Sequence, residues 1–418
     1  MLSLMSVPVP PVTGRRPALT AGLVGTVIFL TAIAPLATDM YVPAFPRVAG
    51  ELSASATQVQ LTLTTFFVGM ALGQLIGGPV SDQRGRRRPL LAALALMTVA
   101  SIVCALTPSI GVMMVARLVQ GLTGGWAMVI GRAIIVDLAT GARLVRVLNV
   151  VAGVGGVAPI VGPLLGAVIL QVSHWRVSFW AVAALSVAML VAVLVAVPES
   201  LPPPQRHSGG LRAFAVAGRR VLANRRYVGY LLVTGSAMAA LFAYVATSAF
   251  VLQSMNGMSP MAYSVDFAAN AAGMTVAALV AARLAGRVAT RKVILVGQVA
   301  ALAAGVVLLA GAGWFGTPLP LAVGCFFVLM TAQGLMIANG GALASAEVPE
   351  HPGTGSAVLG FVQWVAAGTI APIAGLGGEH TAVPMALLVV GGAVLSMVGL
   401  LVLARGGTRP ATAARCPT

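Results

Sequence analysis

Charge is what this chain lacks. Only 8% of its 418 residues are charged and 59% are apolar, where a soluble globular protein carries roughly 25% charged residues. That excludes a water-soluble enzyme, a disordered chain and a nucleic-acid binder. Acids are scarcer still, nine Asp and Glu against 25 Lys and Arg, for a net charge of +16. In a soluble protein such an excess would suggest DNA or RNA. Here the basic residues stand between apolar runs, as they flank the spans of membrane proteins. Lysine is nearly missing: Lys292 stands alone among the basic residues, and the rest are arginine. The cysteines, Cys104, Cys325 and Cys416, lie too far apart for a disulfide framework or a metal-ligand spacing. The histidines, His174, His207, His351 and His380, fall in loops or at helix ends, and no Ser/His/Asp set converges. A P-loop needs Gly-Lys-Ser/Thr, and the lone lysine sits in Thr-Arg-Lys-Val. The sequence names no metal, no cofactor and no ATP site, and it is not read as an enzyme.

What is present is a series of long apolar runs. A bilayer core needs about 20 apolar residues per helix. Such runs predict helices near 21–44, 56–81, 88–107, 110–131, 144–172, 175–197, 227–253, 261–285, 291–312, 317–343, 353–377 and 381–404. This is an all-α membrane protein with twelve transmembrane helices. If the N-terminus is cytoplasmic, 22 of the 25 basic residues fall in cytoplasmic loops. Arg47 and Arg176 fall outside, and Arg117 lies inside a span. That asymmetry obeys the positive-inside rule and puts both termini in the cytoplasm. Arg15-Arg16 before an apolar run could open a secretory signal, but the run continues to Asp39 without a small-residue cleavage site. The reading is a cytoplasmic tail over 1–20, a six-helix bundle over 21–197, a cytoplasmic linker over 198–226 with Pro202, Pro203 and Pro204, a second six-helix bundle over 227–404 and a tail over 405–418. Two such halves suggest a repeat about an axis along the membrane normal, with substrate held between them.

Ionisable residues inside spans are functional hypotheses by default. Asp39 lies near the outer end of helix 1 in TDMYVPAFP. A carboxyl exposed in turn to a closed apolar cavity and to water can take up and release a proton. The alternative is a wetted aspartate at headgroup level, where Pro43 and Pro46 bend the chain. Arg117, in helix 4, keeps its charge and so acts electrostatically, or else bonds carbonyls of a neighbouring helix. Asp266 and Asn270 share a helix face at i, i+4 and either line a cavity or form an interfacial pair. Gln74, Gln120, Gln333, Asn339 and Gln363 bond between helices or reach substrate. Gly69, Gly73 and Gly77, Gly121 and Gly125, and Gly162 and Gly166 recur every four residues, a spacing that lets helix backbones pack closely.

Taken together, these segments resemble the major facilitator superfamily, specifically its drug/proton antiporters of the Bcr/CflA type, over nearly the whole chain. Thr38 to Pro46 is similar to the family's TDMYLPA signature. Gly78 to Leu91, GPVSDQRGRRRPLL, resembles motif A, matching at Gly78, Asp82, Gly85, Arg86 and Arg87, with Gln83 in place of the usual arginine and Arg84 following it. Arg117 to Gly121 resembles motif B. Gly153 to Gly166 resembles the antiporter motif C, including Gly153, Pro159, Gly162, Pro163 and Gly166. Pro198-Glu199-Ser200 and Gly353 to Ala357 match further family positions. The resemblance implies the superfamily's fold and alternating access. It makes Asp39 and Arg117 the proton-coupling pair and the motif A residues a conformational latch, with Asp82 near the start of helix 11 at Gly353 or paired with Arg132, Arg84 or Arg86. Some relatives carry a second acid two turns before the helix 1 aspartate. Here that region reads Leu30, Thr31, Ala32, so proton handling rests on Asp39, helped at most by Asp266.

The implied function is proton-coupled export of small, mostly apolar antibiotics, amphenicol-like or of several classes, across the bacterial cytoplasmic membrane. The candidate cavity residues are Tyr41, Met128, Tyr244, Asp266, Asn270, Asn339 and Gln363, with Phe250 and Trp364 beside them. The expected partners are a small-molecule drug, protons and the lipid bilayer, with no nucleic acid, and the chain is expected to be a monomer. Export of an endogenous metabolite or a sugar is the alternative by the same mechanism, and a membrane enzyme is the weaker third reading.

Overall fold

A low-dielectric surround forces every backbone N–H and C=O to find its partner inside its own segment, so apolar runs of this length become helices. The computed structural model describes residues 20–139, 141–203, 206, 211–350, 352–377 and 380–405. Arg15, Arg16, Pro204, His207, His351, Arg409, Arg415 and Cys416 lie outside the described residues, as does the packing around Gly153 and Gly353. In chain order the helices are α1 (Ala21–Asp39), the short α2 (Phe45–Glu51), α3 (Ala56–Arg84), α4 (Arg87–Leu106), α5 (Ile110–Leu138), α6 (Gly141–Val172) and α7 (Arg176–Ala196). There follow α8 (Leu211–Ala223), α9 (Arg225–Ala249), α10 (Pro260–Leu284), α11 (Thr290–Trp314), α12 (Leu319–Ala346), α13 (Pro352–Ala374) and α14 (Val383–Val398). Among the described residues eleven helical segments are long and apolar enough to cross a membrane, and α6, 32 residues long, has the length to be a twelfth. α9 and α14 each run on into a π-helical turn, Phe250–Met255 and Gly399–Leu403.

The stretch expected to be a Pro-rich spacer holds a helix, α8. It is too short to span and carries Arg219 and Arg220 on its exposed side. A search for 20-residue apolar runs passes over such a segment, because its apolar residues form only a stripe.

Small residues set the helix spacing. α3 and α5 pack backbone to backbone: a methyl on Gly69 or Gly73 would strike the carbonyls of Leu118 or Leu122, and one on Gly121 would strike that of Phe66. On α6, a Cβ at Gly162 would sit 2.7 Å from the Asp39 Cβ, and one at Gly166 would strike the Met40 carbonyl. The glycines that were read as packing residues therefore also bring α6 onto the end of α1.

α1 and α3–α7 form one bundle and α9–α14 the other, and they meet along α3 with α13 and along α6 with α10. The two ends of the molecule differ. At the arginine-poor end three hydrogen bonds among the described residues cross between the bundles: Thr57 Oγ1 donates to Gly375 O at 2.9 Å, Gln60 Nε2 to Ala246 O at 3.0 Å and Gln253 Nε2 to Pro43 O at 3.1 Å. The ion pairs described at the arginine-rich end each stay inside one bundle. Arg86 pairs with Asp82 and Asp137 in the first, and Arg226 with Glu347 in the second.

Candidate functional site

Between the bundles lies a cavity of about 260 Å³, a little under the usual range for small-molecule sites, roughly 300–1,000 Å³. Helices α1, α3, α6, α9, α10, α12 and α13 all contribute to its wall. Met70, Met238, Met274 and Met330 line it together with Phe66, Phe67, Phe242, Phe267 and Trp364. Phe67 reaches across the seam, its ring centroid 4.2 Å from Phe242 and 5.6 Å from Trp364. Asp39 is the ionisable residue in that wall, and Thr38 beside it donates to its Oδ1 at 3.2 Å. Pro159 of the motif C stretch also faces the cavity, and Gly162 packs against Asp39 from behind. The carboxyl is thus held where two bundles, an apolar wall and a glycine-built helix contact converge.

Arg117 sits one layer deeper in the first bundle and is fully buried. Its Nη1 donates to Ala37 O and to Gln120 Oε1, each at 3.0 Å. Gln120 passes the chain on by donating to Ser101 Oγ at 2.7 Å. The guanidinium lies 4.3 Å from the Phe66 ring centroid and 5.3 Å from that of Tyr41, within cation–π range. Its Nε and Nη2 have no acceptor among the described residues. Arg117 therefore grips α1 two residues before Asp39 and stacks on a ring that forms the cavity wall.

The other candidates fall into different places. Tyr41 lies in the Arg117 layer, where Thr62 donates to its hydroxyl at 3.3 Å. Met128, on α5, is partly buried and packs against the hydrophobic core. Asn270 Nδ2 donates to both Asp266 Oδ2 and the Tyr244 hydroxyl at 3.0 Å, so these three form one polar cluster in the second bundle. Asn339 donates to Leu335 O on its own helix, and Gln363 is half-buried next to Trp364. None of these seven lines the cavity, whereas Trp364 does. The wall that sequence reading missed includes Met238, Leu241, Phe242 and Val245, spaced i, i+3, i+4, i+7 along α9. That stripe is visible in the sequence, but a helix that packs on its neighbours shows the same stripe.

The motif A segment forms a compact charge cluster. Gly85 takes φ +86, a left-handed conformation open to glycine, and turns α3 into α4. Arg86 donates Nη1 to Asp82 at 2.5 Å and to Ser81 at 2.7 Å, and Nε to Asp137 at 3.0 Å. Burial works against its charge, but Asp137 and Asp82 outweigh that and raise its pKa. Glu199 caps α4 by accepting from the backbone N–H of Arg86 at 2.7 Å and of Arg87 at 3.2 Å, a favourable place for an anion. Asp82 thus takes Arg86 from among the partners considered for it. Gly78 is half-buried with a Val129 side chain near it. Arg87 Nη2 donates to Leu194 O at 2.6 Å, and Arg84 is exposed.

Comparison with known proteins gives this arrangement a lineage. Residues 27–372 match the Major Facilitator Superfamily profile. The chain is 32% identical over 395 residues to the uncharacterized MFS-type transporter YdgK of Bacillus subtilis, covering 94% of this chain and 97% of that one. It is 28% identical over 337 residues to the multidrug resistance protein MdtL of Escherichia fergusonii, covering 80% and 83%. Among solved structures, the xylose transporter XylE from E. coli superposes with a TM-score of 0.71 at 12% identity, covering 93% of this chain and 99% of that one. A bacterial homologue of the human lysosomal transporter Spinster superposes with a TM-score of 0.68 at 15% identity, covering 94% and 95%. The chain is a multi-pass membrane transporter that belongs to the Major Facilitator Superfamily.

Proposed function

We propose that the protein is a proton-coupled antiporter of the Bcr/CflA type that exports small, mostly apolar antibiotics from a bacterial cell. One observation carries the reading: a lone carboxyl, Asp39, stands beside Thr38 in a mainly apolar and aromatic wall shared by both bundles. A mostly apolar drug fits such a wall with its polar end donating to the ionised Asp39, and a proton on Asp39 weakens that acceptor. Drug and proton then exclude each other, which is the logic of antiport. The MdtL relatives are named for multidrug resistance, and this supports the substrate class. A sugar would need several hydroxyl partners, and the polar side-chain groups of that wall are Asp39, Thr38 and the indole N–H of Trp364. The sugar reading is therefore weaker.

In this reading the arginine-rich end faces the cytoplasm, as the positive-inside rule requires. The three hydrogen bonds at the other end then seal the outer side, and the described state is inward-facing. Arg117 holds α1 through Ala37, and its unused N–H groups offer a deprotonated Asp39 a partner in the opposite state. The Asp82–Arg86–Asp137 cluster acts as the latch that biases one state over the other. The transporter works as a monomer in the cytoplasmic membrane, with both termini inside.

Asp39→Asn tests the proposal. The variant keeps the shape of the site but cannot lose a proton, so resistance and proton-driven uptake into inverted vesicles should both vanish while membrane expression stays at the wild-type level. Full resistance from the Asn variant would overturn the coupling role of Asp39.

A further inference from the structure

A second cavity, about 720 Å³, opens at the arginine-rich end of the first bundle, between the end of α3, the start of α4 and the middle of α5. The transport reading makes no use of it. Its wall along α4 runs from Arg88 to Leu96, about 12 Å by helix rise. Leu96, Leu122 and Trp126 form an apolar floor, and Arg84, Arg88 and Arg206 form the rim. Gly77 makes room for the indole, since a Cβ there would lie 2.8 Å from Trp126 Cδ1. No acid is among the lining residues.

The acids of this end are already engaged. Asp82 and Asp137 hold Arg86, and Glu199 accepts from backbone N–H groups. Arg84 and Arg88 are exposed and enter no ion pair with the described residues, and Arg206 gives its Nε to Leu201 O at 3.2 Å. The Trp126 indole N–H has no acceptor among the described residues. The groove therefore offers three cations at one end and an apolar floor at the other.

We infer that this groove binds an anionic phospholipid from the leaflet at the arginine-rich end. The phosphate sits among Arg84, Arg88 and Arg206, whose guanidinium forks suit phosphate oxygens. The first carbons of an acyl chain lie on Leu96, Leu122 and the Trp126 ring. A free phosphate would satisfy the rim and leave the floor bare, so the lipid is the occupant that uses the whole groove. The inference stands apart from the export reading and needs no transported drug.

Native mass spectrometry of the purified full chain, titrated with phosphatidylglycerol, phosphatidylcholine or inorganic phosphate, tests it. Phosphatidylglycerol should bind at least tenfold more tightly than phosphatidylcholine, and millimolar phosphate should not displace it. Each rim arginine contributes about fivefold in affinity, so Arg88→Gln with Arg206→Gln should weaken phosphatidylglycerol about 25-fold and leave phosphatidylcholine unchanged. Arg88→Lys with Arg206→Lys keeps the charge and should lose only a few-fold, which guards against misfolding as the cause. Arg219→Gln with Arg220→Gln, an equal charge loss on exposed α8, should leave binding unchanged. Equal loss from the α8 pair, equal binding of both lipids, or displacement by phosphate alone would each overturn the inference.

Discussion

Replacing Arg117 with methionine separates transport from folding, because the energetics of this arginine nearly cancel. Two hydrogen bonds from its Nη1, to Ala37 O and Gln120 Oε1, contribute about 1.5–3 kcal/mol each for a charged donor. Stacking on Phe66 at 4.3 Å adds about 2 kcal/mol in a dry site. Against that, Nε and Nη2 lack acceptors at about 1–3 kcal/mol each, and burying the cation costs several kcal/mol more. The balance lies within a few kcal/mol of zero, so stability alone gives no reason to keep the residue. Methionine fills much of the same space without the charge, so the Arg117→Met variant should melt within a few degrees of the wild type or above it. Its proton-driven transport should be lost. Arg117→Lys should transport partly, since an ammonium keeps a charge there but lacks the planar fork and deprotonates more readily when buried. Melting in detergent and uptake into proteoliposomes, read on one preparation, decide the matter. A methionine variant that transports normally, or one that fails to fold, would refute the reasoning.

The remaining expectations concern the latch, the cavity and the helix contact behind Asp39. Asp82→Asn should leave drug affinity nearly unchanged and slow turnover; its pairing with Arg86 is half-exposed and worth at most about 1 kcal/mol, so the melting temperature should barely move. Asp137→Asn removes a partner that is only 17% exposed and should destabilise more, by about 1–3 kcal/mol, which a side-by-side melt would show. Phe242→Ala removes a ring that packs across the seam on Phe67 and within its own bundle on Trp364 and should weaken drug binding about three- to tenfold, read by tryptophan quenching; unchanged affinity would move the site elsewhere. Gly162→Ala forces α6 off Asp39 and should cost about 1–3 kcal/mol together with coupling; a variant with wild-type stability would show that the contact is slack.

Much of this architecture was legible in the sequence. Runs of apolar residues announce membrane helices because lipid leaves the backbone no other way to satisfy its polar groups. Asp39 and Arg117 stood out because an ionisable group in such a run is expensive. The cavity wall was less legible. Met128 and Met70 look alike in sequence, yet Met70 faces the cavity and Met128 the core, because the face of a helix that meets a cavity is decided by the partner bundle. Glu199 was noticed as a matching residue, but its capping of α4 across 113 positions depends on how the linker folds back. Helix α8 escaped notice because an amphipathic stripe has no long apolar run. The partner of Asp82 was open among several arginines, and Gly85 settles it by folding Arg86 back over the end of α3.

The bonds that close the arginine-poor end share a property with consequences for how the protein could be driven. Their donors are two amides and a hydroxyl, and their acceptors are main-chain carbonyls of Gly375, Ala246 and Pro43. None of these groups titrates near neutrality, and neutral pairs are little affected by ionic screening. The strength of this closure should stay constant as the cell's acidity or salt changes. The acceptors are main-chain carbonyls and so do not depend on side-chain chemistry, but Gly375 is held by space, since a Cβ there would strike the Gln60 amide. A pH gradient therefore has no purchase on these three bonds, and in the antiport reading proposed above it acts through a group elsewhere. This gives the cavity wall freedom to diversify for new cargo while the mechanical stop stays the same.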